Sequence, residues 1–338
     1  MTQTQGPEAS CGVRHVTIDA RNDGQRLDNF LLAVFRGVPR SLVYRILRKG
    51  EVRVNRKRAK ANQRLKTGDL VRLPPVRQGS ESPSVAPPPA QVEKLTSAIL
   101  HEDDCLVVLN KPPGLAVHRG SGVGYGVIDL LRAGQPQDDM LELVHRLDRD
   151  TSGCLLLARS RDALLGLQAQ MGEDGGATKR YWAIVGGDAA GRLKPGETRC
   201  VNLPLRKNSL RGGERMVEVD TARGKPARTD FRCLATGGDA ALLEATLHTG
   251  RTHQVRVHAA ALGMPIVGDE KYGNELFDKP LRAAPARFRG MALHAVSLAV
   301  NHPATGVRQH FSAPPPPAWE ALANTLGISL PACDNSAS

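Results

Sequence analysis

One segment of the sequence gathers most of the side chains that could do chemistry. LELVHRLDRDTSG runs from a hydrophobic alternation into a cluster of two carboxylates, two guanidinium groups, two hydroxyls and a glycine. Arg146 and Arg149 flank Asp148, and positive charge nearby favours the ionised form of a carboxylate. An ionised carboxylate suits a nucleophile better than a general acid. The alternative is a salt-bridged turn in which Asp150 or Thr151 caps the next element.

A second polar segment, TGRTHQVRVH (249–258), predicts a turn followed by a strand. Alternate side chains of a strand share a face, so Gln254, Arg256 and His258 are expected on one face. A polar face on an inner strand requires a cleft or a partner. The guanidinium of Arg256 can pair with a catalytic carboxylate and bind an RNA phosphate or base edge. A surface strand with a solvated arginine is the alternative.

Tyr181 is the aromatic candidate, in a sequence with only 4% aromatic residues. It follows two cations in TKRYWAIV, at the start of a predicted strand. A tyrosine at the mouth of a cleft offers a flat apolar ring for an extruded base and a hydroxyl for hydrogen bonding or proton transfer. A core tyrosine with a solvated hydroxyl is the alternative. Taken with the basic composition, Tyr181 and Asp148 indicate an RNA enzyme with a reactive aspartate.

Three other kinds of site are disfavoured by the same sequence. A glycosidase pair at Asp148 and Asp150 needs a general acid with a raised pKa, whereas neighbouring arginines act in the opposite direction. The glycines of GSGVGYG (120–126) follow KPPG and not a strand-to-helix turn, which disfavours a dinucleotide site. His253 and His258 lie on opposite faces of the predicted strand, and no clustered cysteine completes a metal site.

The elements that must position these side chains are predicted to form two domains. PPVRQGSESPSVAPPPAQV is dominated by Pro and Ser and lacks periodicity, which predicts a linker. We therefore expect an N-terminal domain over residues 1–75, a linker over 76–93, a larger domain over 94–330 and a tail over 331–338.

The N-terminal domain is predicted to contain two short helices followed by a strand pair. QRLDNFLLAVF (25–35) has apolar residues at helical spacing, and SLVYRILRKG (41–50) is a second helix. Ser41 is its predicted N-cap, and Gly50 is predicted to end it. EVRVN and DLVRL alternate as short strands do.

This domain also has a concentrated positive charge. Residues 36–60 hold ten basic side chains against one acid, Glu51. Like charges this close repel one another unless a polyanion neutralises them, so the region predicts RNA binding. A solvated surface without a ligand is the alternative. The candidate RNA-binding residues here are Arg40, Arg45, Arg48, Lys49, Arg53, Arg56, Lys57 and Arg58.

The larger domain is predicted to be α+β. Strands that follow one another without regular intervening helices favour a mixed, mostly antiparallel sheet over a doubly wound parallel sheet. Helices are predicted over 160–171 and 318–327. The predicted strands are CLVVLN (105–110), CLLLA (154–158), YWAIV (181–185), ALLEATLH (241–248), HQVRVH (253–258) and MALHAVSLAV (291–300).

Length and composition bound the class of protein. The 338 residues suffice for two domains, and 46 Lys and Arg against 34 Asp and Glu give a formal charge of +12. Such a charge indicates a polyanionic partner, with a merely basic protein as the alternative. The six scattered cysteines, without a C-x-x-C pair, predict reduced thiols and a cytoplasmic protein. No export signal and no apolar stretch of about 18 residues occurs, so no membrane association is expected.

Four motifs, taken in order, resemble one enzyme family. NKPPG (110–114), HRLDRDTSG, the K-x-Y-x-A-x-V pattern from Lys179 to Val185, and GRTHQVRVH resemble the RluA-type pseudouridine synthases. The resemblance covers most of residues 95–315. The basic N-terminal region is similar to S4-type RNA-binding domains. The resemblance implies an S4-like domain followed by a catalytic domain of the pseudouridine synthase fold.

The resemblance also implies a reaction and the residues that carry it. The reaction is isomerisation of flipped-out uridines to pseudouridine in large-subunit (23S) ribosomal RNA, free or in a ribosome assembly intermediate. Asp148 is implied as the catalytic aspartate, with Arg256 paired to it. Tyr181 is implied to pack on the base, and Arg146 to fill the gap left by the flipped nucleotide. Further RNA contacts are expected from Arg149, Arg251, His253 and Gln254.

The remaining expectations concern what the enzyme does without and what it acts on. The isomerisation is redox-neutral and uses no activated donor, so neither a cofactor nor a metal is expected. The protein is expected to be a monomer. Other sites in ribosomal or transfer RNA would require the same motifs, so they stay open as substrates. A non-catalytic ribosomal RNA-binding or ribosome assembly factor is the third hypothesis.

Overall fold

Two units of the chain can be distinguished in the computed structural model, residues 1–86 and residues 87–338. Each unit has a hydrophobic core of its own. Residues 77–86 of the predicted linker and 333–338 of the predicted tail lie outside the described residues. The structure describes residues 12–19, 22–35, 38, 40–76, 87–118, 124–135, 140–172, 175–209, 215–283 and 285–332.

The first unit combines two helices and a small sheet around one core. Its elements are β1 (Arg14–Thr17), α1 (Leu27–Val34), α2 (Arg40–Lys49), β2 (Arg53–Val54), β3 (Lys57–Arg58) and β4 (Leu70–Leu73). The strand order is β1-β4-β2-β3. The two predicted helices are confirmed, but α2 begins at Arg40, so Ser41 lies inside the helix and not at its N-cap. Gly50 follows the last helical residue with a φ of 72°, as predicted for a glycine that ends a helix.

A two-residue turn joins β2 to β3. Asn55 and Arg56 form it with φ values of 50° and 66°. A two-residue hairpin of this kind needs positive φ at both central positions, which suits Asn and Gly and is uncommon for Arg. The amide of Asn55 binds Asp69 and the N–H of Leu70 at 2.7 and 2.8 Å, which stabilises the turn. Arg56 is thereby presented to solvent at the tip of the hairpin.

The second unit contains the larger sheet and the remaining helices. Its first helix begins at Pro89, within the segment predicted as a linker. The elements are α3 (Pro89–Thr96), β5 (Ile99–Glu102), β6 (Leu106–Lys111), α4 (Val127–Gly134), β7 (Glu142–Leu143), β8 (Ser152–Ala158), α5 (Arg161–Met171), β9 (Thr178–Val185), α6 (Ala189–Arg192), β10 (Thr198–Asn202), β11 (Leu205–Ser209), β12 (Arg215–Val219), β13 (Arg228–Gly237), β14 (Ala240–Leu247), α7 (Gln254–Ala261), α8 (Glu275–Leu281), β15 (Leu293–Asn301), β16 (Arg308–Ser312) and α9 (Ala318–Leu326).

The sheet of the second unit is mixed and mostly antiparallel, which confirms the predicted fold class. Its strand order is β10-β13-β14-β9-β15-β8-β6-β5, with β16 paired to β15 and β7 paired to β8. Strands β8 and β15 run parallel to each other, and the other pairings between the described strands are antiparallel. The hairpin of β11 and β12 forms a separate two-stranded sheet. None of the helices in the described part of the chain combines the length and apolar character that crossing a membrane requires.

The predicted strand over residues 253–258 is wrong, because this segment belongs to helix α7. Residues 254–259 are all buried, so the alternation of polar and apolar residues does not mark one exposed face. A helix buried on all sides lacks an amphipathic stripe, and valines at alternate positions imitate a strand. Gln254, Arg256 and His258 therefore do not share a strand face. The predicted strands at the other five positions and both predicted helices of this unit are confirmed.

Candidate active site

Asp148 lies in the loop between β7 and β8. A hydrogen bond from the N–H of Thr151 to the carbonyl of Asp148, at 3.2 Å, closes a turn directly before β8. Gly153 follows with a φ of 104°, and a side chain there would overlap the backbone of Ala295 in β15. Only glycine combines this φ with so close an approach of two strands. The glycine of the HRLDRDTSG motif therefore fixes the strand that leads out of the Asp148 loop.

Arg256 is the partner of Asp148. Its Nη1 donates to Asp148 Oδ2 at 3.0 Å, and the two side chains are 9% and 19% exposed. The arginines next to Asp148 in sequence do not take this role. Arg149 Nε donates to Asp150 at 3.1 Å, and Arg146 is exposed. The positive charge paired with Asp148 thus comes from a helix 108 residues further along the chain.

A second carboxylate, Asp269, fixes the orientation of Arg256. Arg256 Nε and Nη2 donate to the two oxygens of Asp269, each at 2.7 Å. Asp269 is completely buried and also accepts the N–H groups of Lys271 and Tyr272. Such a two-point contact sets the plane of the guanidinium and aims its third nitrogen at Asp148. Burial alone would lower the pKa of Arg256, but Asp269 and then Asp148 outweigh it and raise the pKa.

Asp269 was not among the residues predicted from sequence. The segment IVGDEKY that contains it shows no unusual density of polar groups, and it follows Arg256 by 13 residues. Backbone bonds from Val267 to Ile184 of β9 and from Ala292 to Val267 hold the segment beside β9 and β15. Its proximity to Arg256 is a tertiary feature, and no local signal could have shown it.

Tyr181 and Asp148 border the same cavity, which has a volume of about 280 Å³. Leu247, Leu293 and the stem of Lys179 also line it, so it has an apolar side. Burial, helped by the charge of Asp148, raises the pKa of Tyr181, so its phenol keeps its proton at neutral pH. The cavity therefore offers a flat ring, an apolar wall and the carboxylate of Asp148.

A second cavity, with a volume of about 670 Å³, also borders Asp148. Phe288 and Met291 supply apolar surface to it. Asp148 and Arg256 line both cavities, and cationic side chains border each of them. The cationic side chains that line the larger cavity include Arg146, Arg149, Lys271, Arg282 and Arg289.

Lys111, in the NKPPG motif, ties two loops together. Its side chain is completely buried, and Nζ donates to the carbonyls of Pro112, Leu115 and Arg149 at 2.8, 2.8 and 2.9 Å. Burial lowers the pKa of Lys111 to about 7, with the charges of Asp150 and Asp148 opposing the shift. The bond to Arg149 anchors the loop that carries Asp148.

Gln254 was expected to contact RNA, and the structure assigns it a structural role instead. It is buried, and its Oε1 accepts the hydroxyl of Thr249 at 2.7 Å and the N–H of Arg251 at 3.0 Å. Its Nε2 donates to the carbonyl of Arg228 and the hydroxyl of Thr229, both at 3.0 Å. All its polar atoms are engaged within the protein, so Gln254 anchors the start of α7.

The other expected RNA contacts of this unit lie around the site. Arg149 is exposed beside the larger cavity. Arg251 is partly buried, and its Nε donates to the carbonyl of Pro226 at 3.0 Å. His253 precedes α7 with its Nε2 lying 3.7 Å from Asp148 Oδ2. Arg149, Arg251 and His253 thus surround the carboxylate or the mouth of its cavities.

The side chains of the first unit that were expected to contact RNA are exposed wherever the structure describes them. Arg53 and Arg56 line a depression of about 660 Å³ on the sheet, together with Arg72. The helix and the hairpin both contribute to this face, and the side chain of Arg40 lies outside the described residues. We use the name basic face for the exposed residues Arg45, Arg48, Lys49, Arg53, Arg56, Lys57 and Arg58.

Asp103, Cys105 and His302 bring metal-binding atoms close together at the edge of the sheet. The Nδ1 atom of His302 accepts the N–H groups of Ala304 and Thr305, both at 3.3 Å. A neutral histidine that accepts at Nδ1 carries its proton on Nε2, which lies 3.2 Å from Asp103 Oδ2. The side chains of His302 and Asp103 thus link two turns by hydrogen bonds. The Nδ1 lone pair of His302, which a metal would need, already accepts hydrogen bonds from the backbone.

Comparison with known proteins shows what this arrangement is similar to. Residues 105–261, which include Asp148, Tyr181 and Arg256, match the RNA pseudouridylate synthase family. Residues 25–71 match the S4 domain family. The predicted S4-like domain and pseudouridine synthase fold are thereby confirmed.

Two curated relatives match almost the whole chain. The ribosomal large subunit pseudouridine synthase C of Escherichia coli (strain K12) is 48% identical over 303 residues, which cover 89% of this chain and 93% of that protein. The protein of the same name from Haemophilus influenzae is 45% identical over 314 residues, with coverages of 93% and 95%.

Solved structures agree with the fold. Human RNA pseudouridylate synthase domain containing 4 superposes with a TM-score of 0.58 at 26% identity, over 72% of this chain and 98% of that chain. Human RNA pseudouridylate synthase domain containing 1 superposes with a TM-score of 0.52, also at 26% identity, over 67% of this chain and 85% of that chain.

Proposed function

The chain belongs to the RNA pseudouridylate synthase family, and we propose that it isomerises selected uridines of large-subunit (23S) ribosomal RNA with Asp148 as nucleophile. The observation that carries the proposal is the 3.0 Å contact of Arg256 with Asp148 at the edge of the Tyr181 cavity. The names of the two curated relatives support large-subunit ribosomal RNA as the substrate. The S4 domain and its basic face supply a surface for RNA phosphates.

The reaction requires the uridine to leave the RNA helix, because a stacked base cannot turn over. The cavity beside Asp148 would receive it, with the ring of Tyr181 packed against the base. Arg146 is exposed at the rim of this cavity, so its side chain can occupy the gap left in the helix. Arg149, Arg251 and His253 would contact the flanking RNA.

Two routes are open to the carboxylate of Asp148. In one, its oxygen bonds to C1′ of the ribose and the C1′–N1 bond breaks, with the electron pair leaving on uracil. After the base turns, C5 bonds to C1′, the carboxylate leaves, and the proton on C5 is lost. In the other route, the carboxylate removes the C2′ proton while the base departs with the electrons of the C1′–N1 bond, which leaves a C1′=C2′ double bond. After the base turns, the carboxyl group returns the proton to C2′, C5 bonds to C1′, and the proton on C5 is lost. Both need Asp148 to be ionised and shielded from water, and Arg256 supplies the fixed positive charge.

The proposal is tested by replacing Asp148 with asparagine, which keeps the shape and removes the nucleophile. 23S ribosomal RNA from cells that carry only Asp148→Asn should lack specific pseudouridines that wild type forms, as mapped by carbodiimide-dependent primer extension. The matched control is Asp162→Asn, an exposed carboxylate in the first turn of α5, which should leave every pseudouridine in place. Unchanged modification in Asp148→Asn would contradict the assignment.

We further propose that the enzyme acts as a cytoplasmic monomer on ribosomal RNA that is free or part of an assembly intermediate. The four cysteines in the described residues are free thiols, which supports a reducing compartment. Asp148, Arg256, Asp269 and Tyr181 come from one chain, so a second copy is not needed to complete the site. Light scattering should give the mass of a single chain, and a dimer mass would contradict this part of the proposal.

A further inference from the structure

His253 lies between the proposed nucleophile and a partly buried chain of hydrogen bonds. Its Nε2 lies 3.7 Å from Asp148 Oδ2, while its Nδ1 lies 2.9 Å from the hydroxyl oxygen of Tyr272. The backbone N–H of Val217 in β12 donates to the same hydroxyl at 2.8 Å. His253 is held at this point by a left-handed backbone conformation, with a φ of 54°, directly before α7. A non-glycine residue in that conformation indicates a position fixed by its surroundings.

The hydrogen-bond chain determines which nitrogen of His253 carries the proton. A tyrosine hydroxyl has one proton to donate, and one of its lone pairs already accepts the N–H of Val217. If Tyr272 donates to Nδ1, the neutral imidazole carries its proton on Nε2, which faces the carboxylate of Asp148. The opposite tautomer would direct an Nε2 lone pair at that carboxylate, so it is disfavoured by repulsion.

The groups that face His253 come from three parts of the chain. Asp148 lies in the loop before β8, Arg256 lies in α7, and Asp269, Lys271 and Tyr272 lie in the segment after α7. Burial lowers the pKa of His253; the charge of Asp148 opposes this, and those of Arg256 and Lys271 add to it. His253 is therefore neutral at neutral pH, as the chain of hydrogen bonds requires.

Two donors thus converge on one oxygen of Asp148. Arg256 Nη1 binds Oδ2 at 3.0 Å, and the Nε2–H of His253 faces the same atom. Both contacts fall on Oδ2, so Oδ1 is the oxygen that neither Arg256 nor His253 contacts in these pairings. At 3.7 Å the histidine contact is electrostatic, and contacts of this kind commonly shorten when substrate excludes water.

We propose that His253, in its Nε2–H form, is a positioning residue that holds Oδ2 of Asp148 together with Arg256, and that Tyr272 selects this form. Oδ1 is then the oxygen that reacts with the ribose. The inference rests on the proposed pseudouridine synthesis and adds a role for two residues outside the pair of Asp148 and Arg256. His253, expected from sequence only as an RNA contact, acts through the nucleophile.

Tyr272 also connects this arrangement to the hairpin of β11 and β12. Tyr272 packs against a small apolar cluster that contains Leu205 of β11, Val217 of β12 and Val257 of α7. Arg206 on β11 and Arg251 beside His253 line one cavity of about 360 Å³. The proton position on His253 therefore depends on a hairpin that bears cations beside the site.

The experiment measures single-turnover pseudouridine formation by tritium release from 23S RNA fragments labelled at C5 of uridine, between pH 5.5 and 8.5. His253→Ala should slow the reaction about tenfold, the cost of losing one hydrogen bond to a charged group. His253→Gln supplies an N–H donor of similar reach and should restore the rate to within about threefold of wild type. The dissociation constant for the RNA should change less than about threefold in both variants, because the effect lies in the chemical step.

Tyr272→Phe provides the second, more conservative test. It keeps the ring that Arg256 contacts at 5.1 Å and removes only the hydroxyl. Wild-type activity should fall at acid pH as His253 gains a second proton. A protonated Nδ1 can no longer accept the hydrogen bond from Tyr272, and the positive imidazolium makes the carboxylate of Asp148 a weaker nucleophile. Loss of the tyrosine donor makes Nδ1 easier to protonate, so the acid limb should move upward by about half a pH unit. In His253→Gln this limb should be absent.

Three results would overturn the inference. His253→Gln could be as slow as His253→Ala, which would indicate a role of ring shape. The loss in His253→Ala could fall wholly on the dissociation constant, which would return His253 to RNA binding. Tyr272→Phe could leave the pH profile unchanged. Failure of the proposed function is separate, since wild type itself would then release no tritium from any large-subunit fragment.

Discussion

The basic face of the first unit and the arginine at the centre of the second differ in what surrounds the charge. Arg53, Arg56 and Lys57 are exposed on a small sheet, where solvent screens them. Arg256 is 9% exposed and spans two carboxylates with three of its nitrogens. Exposed cations attract any polyanion, and the attraction grows with the number of cations on the surface. A buried cation held in one orientation acts on a single atom instead. The first unit is thus built for affinity and the second for chemistry.

The largest expected effect comes from breaking the geometry of Arg256 while keeping its charge. Arg256→Lys replaces a planar group with three engaged nitrogens by a single nitrogen that cannot bridge Asp148 and Asp269. We expect the single-turnover rate to fall at least about 100-fold, because one oriented donor at a reacting group contributes this much. RNA affinity should stay within about threefold, since the basic face is untouched.

The matched control for this change is Arg232→Lys. Arg232 is an exposed arginine on β13 and lines neither cavity of the site. It should keep the wild-type rate. If Arg256→Lys also kept the rate, charge alone would suffice at this position, and the contrast between the two units would disappear.

A smaller effect is expected from Lys111, a buried lysine whose Nζ donates to three protein carbonyls. Lys111→Met keeps the length of the side chain but leaves the carbonyls of Pro112, Leu115 and Arg149 without their donor. Buried carbonyls without a donor destabilise the folded protein, whereas removing a buried charge stabilises it and offsets part of this loss. The free energy of unfolding should therefore fall by about 2 kcal/mol. Urea unfolding of the whole protein measures this.

Lys94→Met is the control for that measurement, because Lys94 is exposed on α3. Its unfolding curve should overlay that of wild type. Were Lys111→Met equally stable, the three carbonyls would have found other partners, and the lysine would not anchor the Asp148 loop.

Part of this architecture follows from the sequence because its signals are local. The HRLDRDTSG segment shows its dense polar cluster directly, and Gly153 is required by a φ that no other residue adopts easily. The strands of the large sheet appear as apolar runs. The basic face needs only a count of charges over 25 residues, since the chain there stays in neighbouring elements.

The rest depends on contacts that sequence spacing does not encode. Residues 254–259 are all buried, so the helix shows no amphipathic pattern in the sequence. The alternating valines therefore predicted a strand, whereas tertiary packing imposes a helix. Asp269 reaches Arg256 only because backbone hydrogen bonds hold its segment beside the ends of β9 and β15. Sequence spacing likewise pointed to Arg146 and Arg149 as the cations beside Asp148, whereas Arg149 pairs with Asp150 and Arg256 pairs with Asp148. Arg146 and Arg149 are exposed, and the side chain that pairs with Asp148 is Arg256 of helix α7.

The smallest expected effect concerns Arg56 and divides stability from function within the basic face. Its φ of 66° favours glycine, so Arg56→Gly should stabilise the β2–β3 hairpin by about 0.5–1 kcal/mol, measured by hydrogen exchange of its amides. Loss of one phosphate contact should lower the salt dependence of RNA binding by about one unit of slope. Arg56→Ala is the control: it loses the same charge but retains the strained backbone, so only binding should change. If the salt dependence of RNA binding were unchanged in both variants, the side chain of Arg56 would contact solvent and not RNA. The strained backbone at the hairpin tip would then have no role in binding the substrate.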